Sequence, residues 1–298
     1  MEDVLAQLAD DKLGIIVLPI FLLAIILEAI YSYQQKRQLY KGIDTLASLS
    51  MLVFSALMEF FPKIIAFIIF FQLHELSPLR DIIQRQWWAW ILLFFLDDFI
   101  YYCFHRANHE VRIFWAGHVP HHSSEYLNLG TALRQGVGER IHKFFFWLPL
   151  PLLGFDPLMI FIVISISLTY QFWIHTELVR KFPDIIEKVF NTPSHHRVHH
   201  ASNIRYLDCN HAGVLIIRDK LLGTFSAELE TEPPKYGLTT NIKSFNPIQI
   251  AFGEYGAIWR DMKQAKSMKD KLSYLFLAPG WHHDGPDKRA KVLRNANP

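Results

Sequence analysis

Cysteine is almost missing from this chain: Cys103 and Cys209 are the two in 298 residues. Neither falls inside the histidine-rich segments 105–125 and 194–200. A structural zinc knuckle draws on thiolates and is therefore a poor match, so imidazole must carry any metal coordination there. Both cysteines lie beside segments assigned below to a reducing compartment, and free, inert thiols are expected. Excess charge is also missing. Thirty basic and 28 acidic residues leave a formal net charge of +2, which gives no field for nucleic acid. Nothing resembles a cytochrome b5 domain, a flavin fingerprint or a cysteine-based iron-sulfur pattern, so electrons for any redox step must come from a separate donor. The opening residues, with Glu2, Asp3, Asp10 and Asp11, lack the basic start and small-residue cleavage site of a secretory signal.

Apolar residues are abundant. Hydrophobic side chains make up 51% of the chain, with 24 Phe and 8 Trp, and the mean hydropathy is +0.14; this balance points to a membrane protein. The run Leu13 to Tyr31 is long enough to span a bilayer. Lys36, Arg37 and Lys41 make the next loop cytoplasmic and put the amino terminus outside. Leu46 to Phe71 is a second span, interrupted at Glu59, Pro62 and Lys63, where a kink or a water-accessible break is expected. His74 to Gln86 falls outside, and Trp87 to Phe104 returns. Tyr126 to Arg140, with Gly130, Gly136 and Gly138, reads as irregular or a short helix over the site. Ile141 to Leu153 and Leu158 to Ile174, joined by a turn at 154–157, read as a hairpin that enters and leaves on the same side. After His175 no stretch of eighteen apolar residues recurs, so a soluble cap is expected, with an interfacial helix near Ile248 to Trp259.

The fold class expected is an all-α integral membrane protein of about four transmembrane helices plus a short re-entrant or hairpin helix, with a cytoplasmic, histidine-rich catalytic cap. Its regions are 1–104 (N-terminal transmembrane helices), 105–143 (first and second histidine boxes), 144–175 (membrane hairpin) and 176–298 (cytoplasmic cap with the third box).

Nine of fifteen histidines fall within 105–122 and 195–200. His105, His109, His118, His121 and His122 form one cluster; His195, His196, His199 and His200 form another and share the His-x-x-His-His spacing. Offsets of three and four residues put the rings of each cluster on one face of a helix, as ligands to a shared ion must be. Ligation is expected of His105, His109, His118, His121, His122, His196, His199 and His200, and of His175 if the hairpin returns it to the same face. His195 is balanced between ligand and a partner that orients one. His74, His142, His211, His282 and His283 read as solvent-facing or hydrogen-bonded, with His211 able to lie close to the site. Trp281 and Phe144 to Phe146 read as lipid-facing.

Asp97 and Asp98 stand in an apolar helix, where a carboxylate is expensive and needs a partner. Asp98, Tyr102, His105 and His109 share a helical face, so Asp98 is expected to accept the second ring proton of a ligand histidine. Glu125, Arg134 and Asp208 are further polar candidates for orienting ligands or a substrate head group.

Eight or more neutral imidazoles suit a pair of borderline divalent ions, iron or zinc, because one tetrahedral zinc uses four. Hydrolytic dinuclear sites usually carry bridging carboxylates, and in the boxes the acids are Glu110 and Glu125. An all-histidine pair beside membrane spans favours oxygen activation by iron and hydrogen removal from an unactivated C–H bond, with the alkyl chain positioned in an apolar tunnel. A dinuclear zinc hydrolase and a non-catalytic metal-handling protein remain alternatives. The second predicts histidines spread along a transmembrane path rather than gathered at helix ends.

The segments His105-Arg106-Ala107-Asn108-His109-Glu110, His118-Val119-Pro120-His121-His122-Ser123-Ser124-Glu125 and His196-Arg197-Val198-His199-His200 resemble the three boxes of the fatty acid hydroxylase and sterol desaturase superfamily. Residues 126–135, 171–177, 191–200 and 213–225 are most similar to its alkylglycerol monooxygenase branch. Arg218, where the superfamily often has Trp, and His211, where an aromatic is common, depart from the pattern. The resemblance implies a multi-pass, O2-dependent membrane monooxygenase with two iron ions, or zinc as purified. It implies a lipid substrate, an ether lipid with a fatty acid or sterol as the alternative, hydroxylated or desaturated, and a separate reductase or reduced pterin such as tetrahydrobiopterin as donor.

Overall fold

A computed structural model describes residues 12–297, with side chains from residue 17 onward. The acidic opening segment lies outside the described residues. Among the described residues the protein is helical, and its strand-like pairings are isolated bridges such as Phe190 with Leu215.

Helix α1 (Lys12–Gln34) is apolar on all sides. Leu18, Ile20, Leu22, Leu23, Ile26, Leu27 and Ile30 are exposed, a surface that is costly in water and at home in hydrocarbon. Helices α2 (Gly42–Met58) and α3 (Phe60–Leu76) meet at Glu59 with a 51° bend. The expected kink is thus present, and Glu59 is buried there rather than wetted. Its Oε2 lies 2.6 Å from Nε of Arg140, an ion pair that offsets the buried charge and pins the following loop to the bend. Helix α4 (Trp87–Glu110) runs straight into α5 (Arg112–His122) through a break at Val111.

Helix α6 (Glu139–Trp147) and the turn Pro149–Leu152 descend, and α7 (Pro157–Trp173) returns. The far end of this hairpin meets the α3–α4 connection: Ser77 Oγ donates to the Leu152 carbonyl (2.7 Å) and Arg85 pairs with Asp156 (2.7 Å). Leu93, Phe104, Trp147, Leu150, Phe155, Met159, Ile160 and Val163 fill the space between α3, α4 and the hairpin. Trp147 donates to Asp97 at 2.7 Å, which explains one of the two intrahelical carboxylates as an anchor for the hairpin.

By length and composition Val17–Gln34 and Trp87–Glu110 can each cross a bilayer, α2 with α3 adds a third crossing if the bent pair is one span, and α7 is apolar but has 17 residues. The near end of the bundle collects the 35–44 connection and the loop after α5. Asn128 donates to the Leu39 carbonyl (2.7 Å), and Glu28 of α1 accepts from the Leu129 amide (2.7 Å), Tyr40 and Thr176. Over this end lie α8 (Pro193–His199), α9 (Pro247–Gln264), α10 (Met268–Phe276) and α11 (Ala290–Ala296).

Candidate metal centre

Three short helical pieces bring the rings together. The end of α4 supplies His105 and His109, α5 supplies His118, His121 and His122, and α8 with its C-cap supplies His196, His199 and His200. His175 follows the last turn of α7, where its Nδ1–H donates to the Gln171 carbonyl at 2.7 Å. All nine are buried. They divide into two groups whose ring nitrogens lie within 4.8 Å of one another: His105, His109, His118, His122 and His199 in one, His121, His175, His196 and His200 in the other. The pairs 105/109, 118/122 and 196/200 are each one turn apart and serve one group. The neighbours 121 and 122, like 199 and 200, point about 100° apart on their helices and so serve different groups.

The ring nitrogens facing inward are Nε2. His118 Nε2 lies 3.1 Å from those of both His105 and His122; His175 Nε2 lies 3.2 Å from that of His121 and 2.8 Å from that of His196; His196 and His200 are 3.0 Å apart. Several of the opposite nitrogens are occupied, while Nδ1 of His196 is buried without a partner. Nδ1–H donates to backbone carbonyls from His105 to His211 (2.9 Å), from His121 to Arg134 (3.3 Å) and from His199 to Cys209 (3.0 Å). His118 Nδ1 lies 3.3 Å from Glu139 Oε2, and His109 Nδ1 lies 3.3 Å from Asp208 Oδ1. Where a carbonyl holds the proton on Nδ1, as at His105, His121, His175 and His199, the Nε2 lone pair faces inward, and lone pairs crowded at this range repel unless a cation sits among them. Ligands about 2.1 Å from an ion at right angles stand about 3.0 Å apart, which is the spacing found. His109 Nε2 and His199 Nε2 are buried without any hydrogen-bond partner. The residues therefore fit two divalent metal ions, one per group.

Burial disfavours the imidazolium form, and neighbouring imidazoles add to this. His121, His122, His196, His199 and His200 are held well below the usual histidine range, and His175 falls to about 4 through burial. Neutral rings are the ligating form. Burial pushes the Glu139 carboxyl up, but His118, His142 and His121 outweigh it and hold it at about 2.

Asp98 requires a correction. It accepts from the backbone amides of Val214 (3.1 Å) and Leu215 (3.0 Å), not from a histidine, and Arg218 lies 3.7 Å away. The helical face it shares with His105 is real, but the 213–215 segment reaches the carboxylate first. Glu125 also falls away from the rings, where Asn241 donates to it at 2.5 Å. Tyr102 meets Thr224 Oγ1 at 3.0 Å and accepts from Arg106 at 3.2 Å. His195 belongs to neither group: its Nε2 lies 2.9 Å from Glu187 Oε2, beside a recess of about 210 Å³ rimmed by Lys181, Lys188 and Lys220. Arg134 is buried with its guanidinium 2.8 Å from Asp44, while its carbonyl receives His121.

Glu139 was not foreseen from sequence as part of the site, whereas His211, read as able to lie close to it, does so. Glu139 stands 21 positions beyond His118, and its one signal is a lone acid just after Gly136 and Gly138 in a polar loop. His211 is fully buried with its ring 5.0 Å from that of His109; its amide and that of Ala212 donate to Asp219 at 2.7 and 2.9 Å. His142 bonds Asn108 at 2.6 Å and stacks on Phe114.

A family described as fatty acid hydroxylase matches residues 90–224, the part of the chain that carries all nine rings. The chain is 41% identical over 272 residues to "Alkylglycerol monooxygenase" of Homo sapiens, covering 91% of this chain and 59% of that protein. To the protein of the same description from Xenopus tropicalis it is 40% identical over 268 residues, covering 90% and 58%. To that from Danio rerio it is 45% identical over 194 residues, covering 65% and 43%. The chain thus spans less than two thirds of the length of these relatives. No solved structure matches it.

Proposed function

We propose, from the match of residues 90–224 to the fatty acid hydroxylase family, that the chain is a di-iron, O2-dependent membrane monooxygenase that oxidises lipid C–H bonds. Ether lipids of the alkylglycerol type are the preferred substrate class, on the strength of the relatives' descriptions. The observation that carries the reading is the division of buried imidazoles into five and four with converging Nε2 atoms. His105, His109, His118, His122 and His199 hold one iron; His121, His175, His196 and His200 hold the other. When bound, the two irons supply reduction of O2 and oxidation of the substrate carbon.

The chain's own residues do the rest. Backbone carbonyls of Gln171, Arg134, Cys209 and His211 fix the tautomer and direction of their histidines, and Glu139 and Asp208 do so through carboxylates. Burial keeps bulk water from the rings, so that oxidising equivalents reach the substrate rather than solvent. For an ether R–CH2–O–R′, insertion of one oxygen atom at the carbon beside the ether oxygen consumes O2, two electrons and two protons and releases water. The resulting hemiacetal, R–CH(OH)–O–R′, collapses to the aldehyde RCHO and the alcohol HO–R′. Electrons come from a separate reductase or a reduced pterin.

In this reading α1, the α2–α3 pair, α4 and the hairpin ending in α7 cross the membrane, and the rings lie at its cytoplasmic face. Two features support that placement: Lys36, Arg37 and Lys41 occupy the connection that packs against the histidine-bearing loops, and positive loops favour the cytoplasm. The test is aerobic and anaerobic incubation of the purified, iron-containing protein with a 1-O-alkylglycerol, a sterol and a free fatty acid, each with reduced pterin. O2-dependent release of fatty aldehyde from the first supports the proposal; turnover without O2, or by the zinc form, defeats it.

A further inference from the structure

A third group of possible ligands stands apart from the nine rings. After α10 the chain turns through Gly280 into His282-His283-Asp284. His282 Nδ1 lies 2.9 Å from Asp284 Oδ1, and His283 Nε2 lies 3.3 Å from Asp284 Oδ2. The two imidazoles stack with centroids 5.0 Å apart, and one ligand atom from each of the three residues lies within 4.8 Å of the others. These separations match those of atoms sharing one ion at about 2.1 Å.

The ring of His283 is fixed from behind. Its Nδ1 lies 2.7 Å from the hydroxyl of Tyr274, which is itself buried. A metal-binding histidine has its outer nitrogen held by a hydrogen bond and its inner one directed at the ion, and here the inner nitrogen of His283 faces the space it shares with Asp284. Space for the other ring depends on Gly285, where a Cβ would come within 3.0 Å of His282 Nδ1. The Asp284 amide approaches that same nitrogen at 3.4 Å, a weak contact that an ion would displace. Asp284 and His282 remain open to solvent, with side chains 55% and 39% exposed, which leaves positions for water. The ring neighbours of both histidines are each other and the aromatic residues of their own segment.

We propose that His282, His283 and Asp284 form a binding site for a borderline divalent cation of the zinc class, separate from the nine-histidine centre. Two imidazoles and one carboxylate favour zinc over calcium or magnesium, which prefer oxygen. A bound ion ties the 280–289 turn to α10 through Tyr274. That helix leads to Leu277, whose carbonyl accepts from the Arg112 amide at the start of α5 at 3.1 Å. The site therefore braces the helix that carries the second histidine box.

The test compares the 298-residue protein as purified with the doubly substituted His282→Ala/Asp284→Asn variant, in the same detergent. Both are titrated with Zn2+ by calorimetry, with iron and zinc counted by mass spectrometry before and after. The expected result is one zinc equivalent that the wild type binds and the variant does not, equal iron in both, and a zinc-induced rise in Tm confined to the wild type. Identical zinc uptake by the two proteins overturns the proposal, as does absence of uptake by the wild type. A His196→Ala protein serves as the second arm. It keeps the zinc equivalent while losing iron, so failure of the nine-histidine reading and failure of this one are read separately.

Discussion

Glu139 Oε2 lies 3.3 Å from His118 Nδ1, and its other oxygen lies 3.3 Å from Asn108 Nδ2. The acid thus ties the first turn of α6 to the middle of α5 and to α4. His118 is the ring whose Nε2 stands 3.1 Å from two others, so tilting it disturbs three ligands. Glu139→Gln keeps the shape and removes the charge. Loss of such an outer partner typically costs 10- to 100-fold in metal affinity or activity. Iron content and turnover in Glu139→Gln are both expected to fall by about that factor, while membrane insertion is unchanged. Full iron occupancy with wild-type turnover counts against a role for the carboxylate.

His121 and His122 are consecutive yet belong to different groups. Substituting one should therefore strip a different ion from substituting the other. His121→Ala leaves His175, His196 and His200 with one ligand fewer; His122→Ala takes one of five from the other group. Each variant is expected to lose all detectable turnover. The sharper readout is iron stoichiometry and Mössbauer spectra, in which His121→Ala should lose more iron than His122→Ala because four ligands tolerate deletion less well than five. Equal, complete loss from both would mean that the two positions fill only together.

Much of this centre was legible in the chain. Offsets of three and four along single helices mark His105, His109, His118, His122, His196 and His200, because local geometry alone aligns them. The kink at Glu59 is readable from an interrupted apolar run, whereas His175 is expected from its place at a helix end and from the family resemblance. What local spacing cannot carry is the partner that arrives from elsewhere. Asp98 shares a face with His105 as expected, yet its acceptor role is taken by amides more than a hundred residues away. Glu139 and His211 have no periodic signal, and reach the rings through the loop after α5 and the turn before Asp219. The span count is limited by length: α7 is apolar but has 17 residues, and His175 follows it in the turn that reaches its group.

Arg134 and Asp44 form a buried pair at 2.8 Å between the loop over the site and the start of α2. Arg134 Nε also donates to Ser123 Oγ at 3.1 Å, and Ser124 donates to the same aspartate at 2.6 Å. Removing one partner leaves a bare charge without solvent, at a cost of about 3 to 5 kcal/mol. Asp44→Ala is expected to lower the thermal midpoint of the detergent-solubilised protein and to reduce iron retention, because His121 loses the carbonyl that Arg134 presents. The double replacement Asp44→Ala/Arg134→Met should recover part of the midpoint, since no lone charge remains. If the single and double variants unfold alike, the pair contributes through shape rather than charge.

Gly136 sits where the loop after α5 crosses Gly117 of that helix. A Cβ at 136 would lie 1.6 Å from the Gly117 carbonyl oxygen and 2.8 Å from its carbon, both backbone atoms. No rotamer change relieves such a contact, so Gly136→Ala must push the loop off the helix between His118 and Glu139. The outcome expected is protein that inserts in the membrane but purifies with little iron and a lowered thermal midpoint. Gly253→Ala on α9 is the control. Nothing lies within 4 Å of its Cβ, and alanine there should raise helix stability by about 0.5 to 1 kcal/mol. Wild-type iron content in Gly136→Ala would show that the loop can shift without moving the rings, and would place the rigidity of the centre in the helices alone.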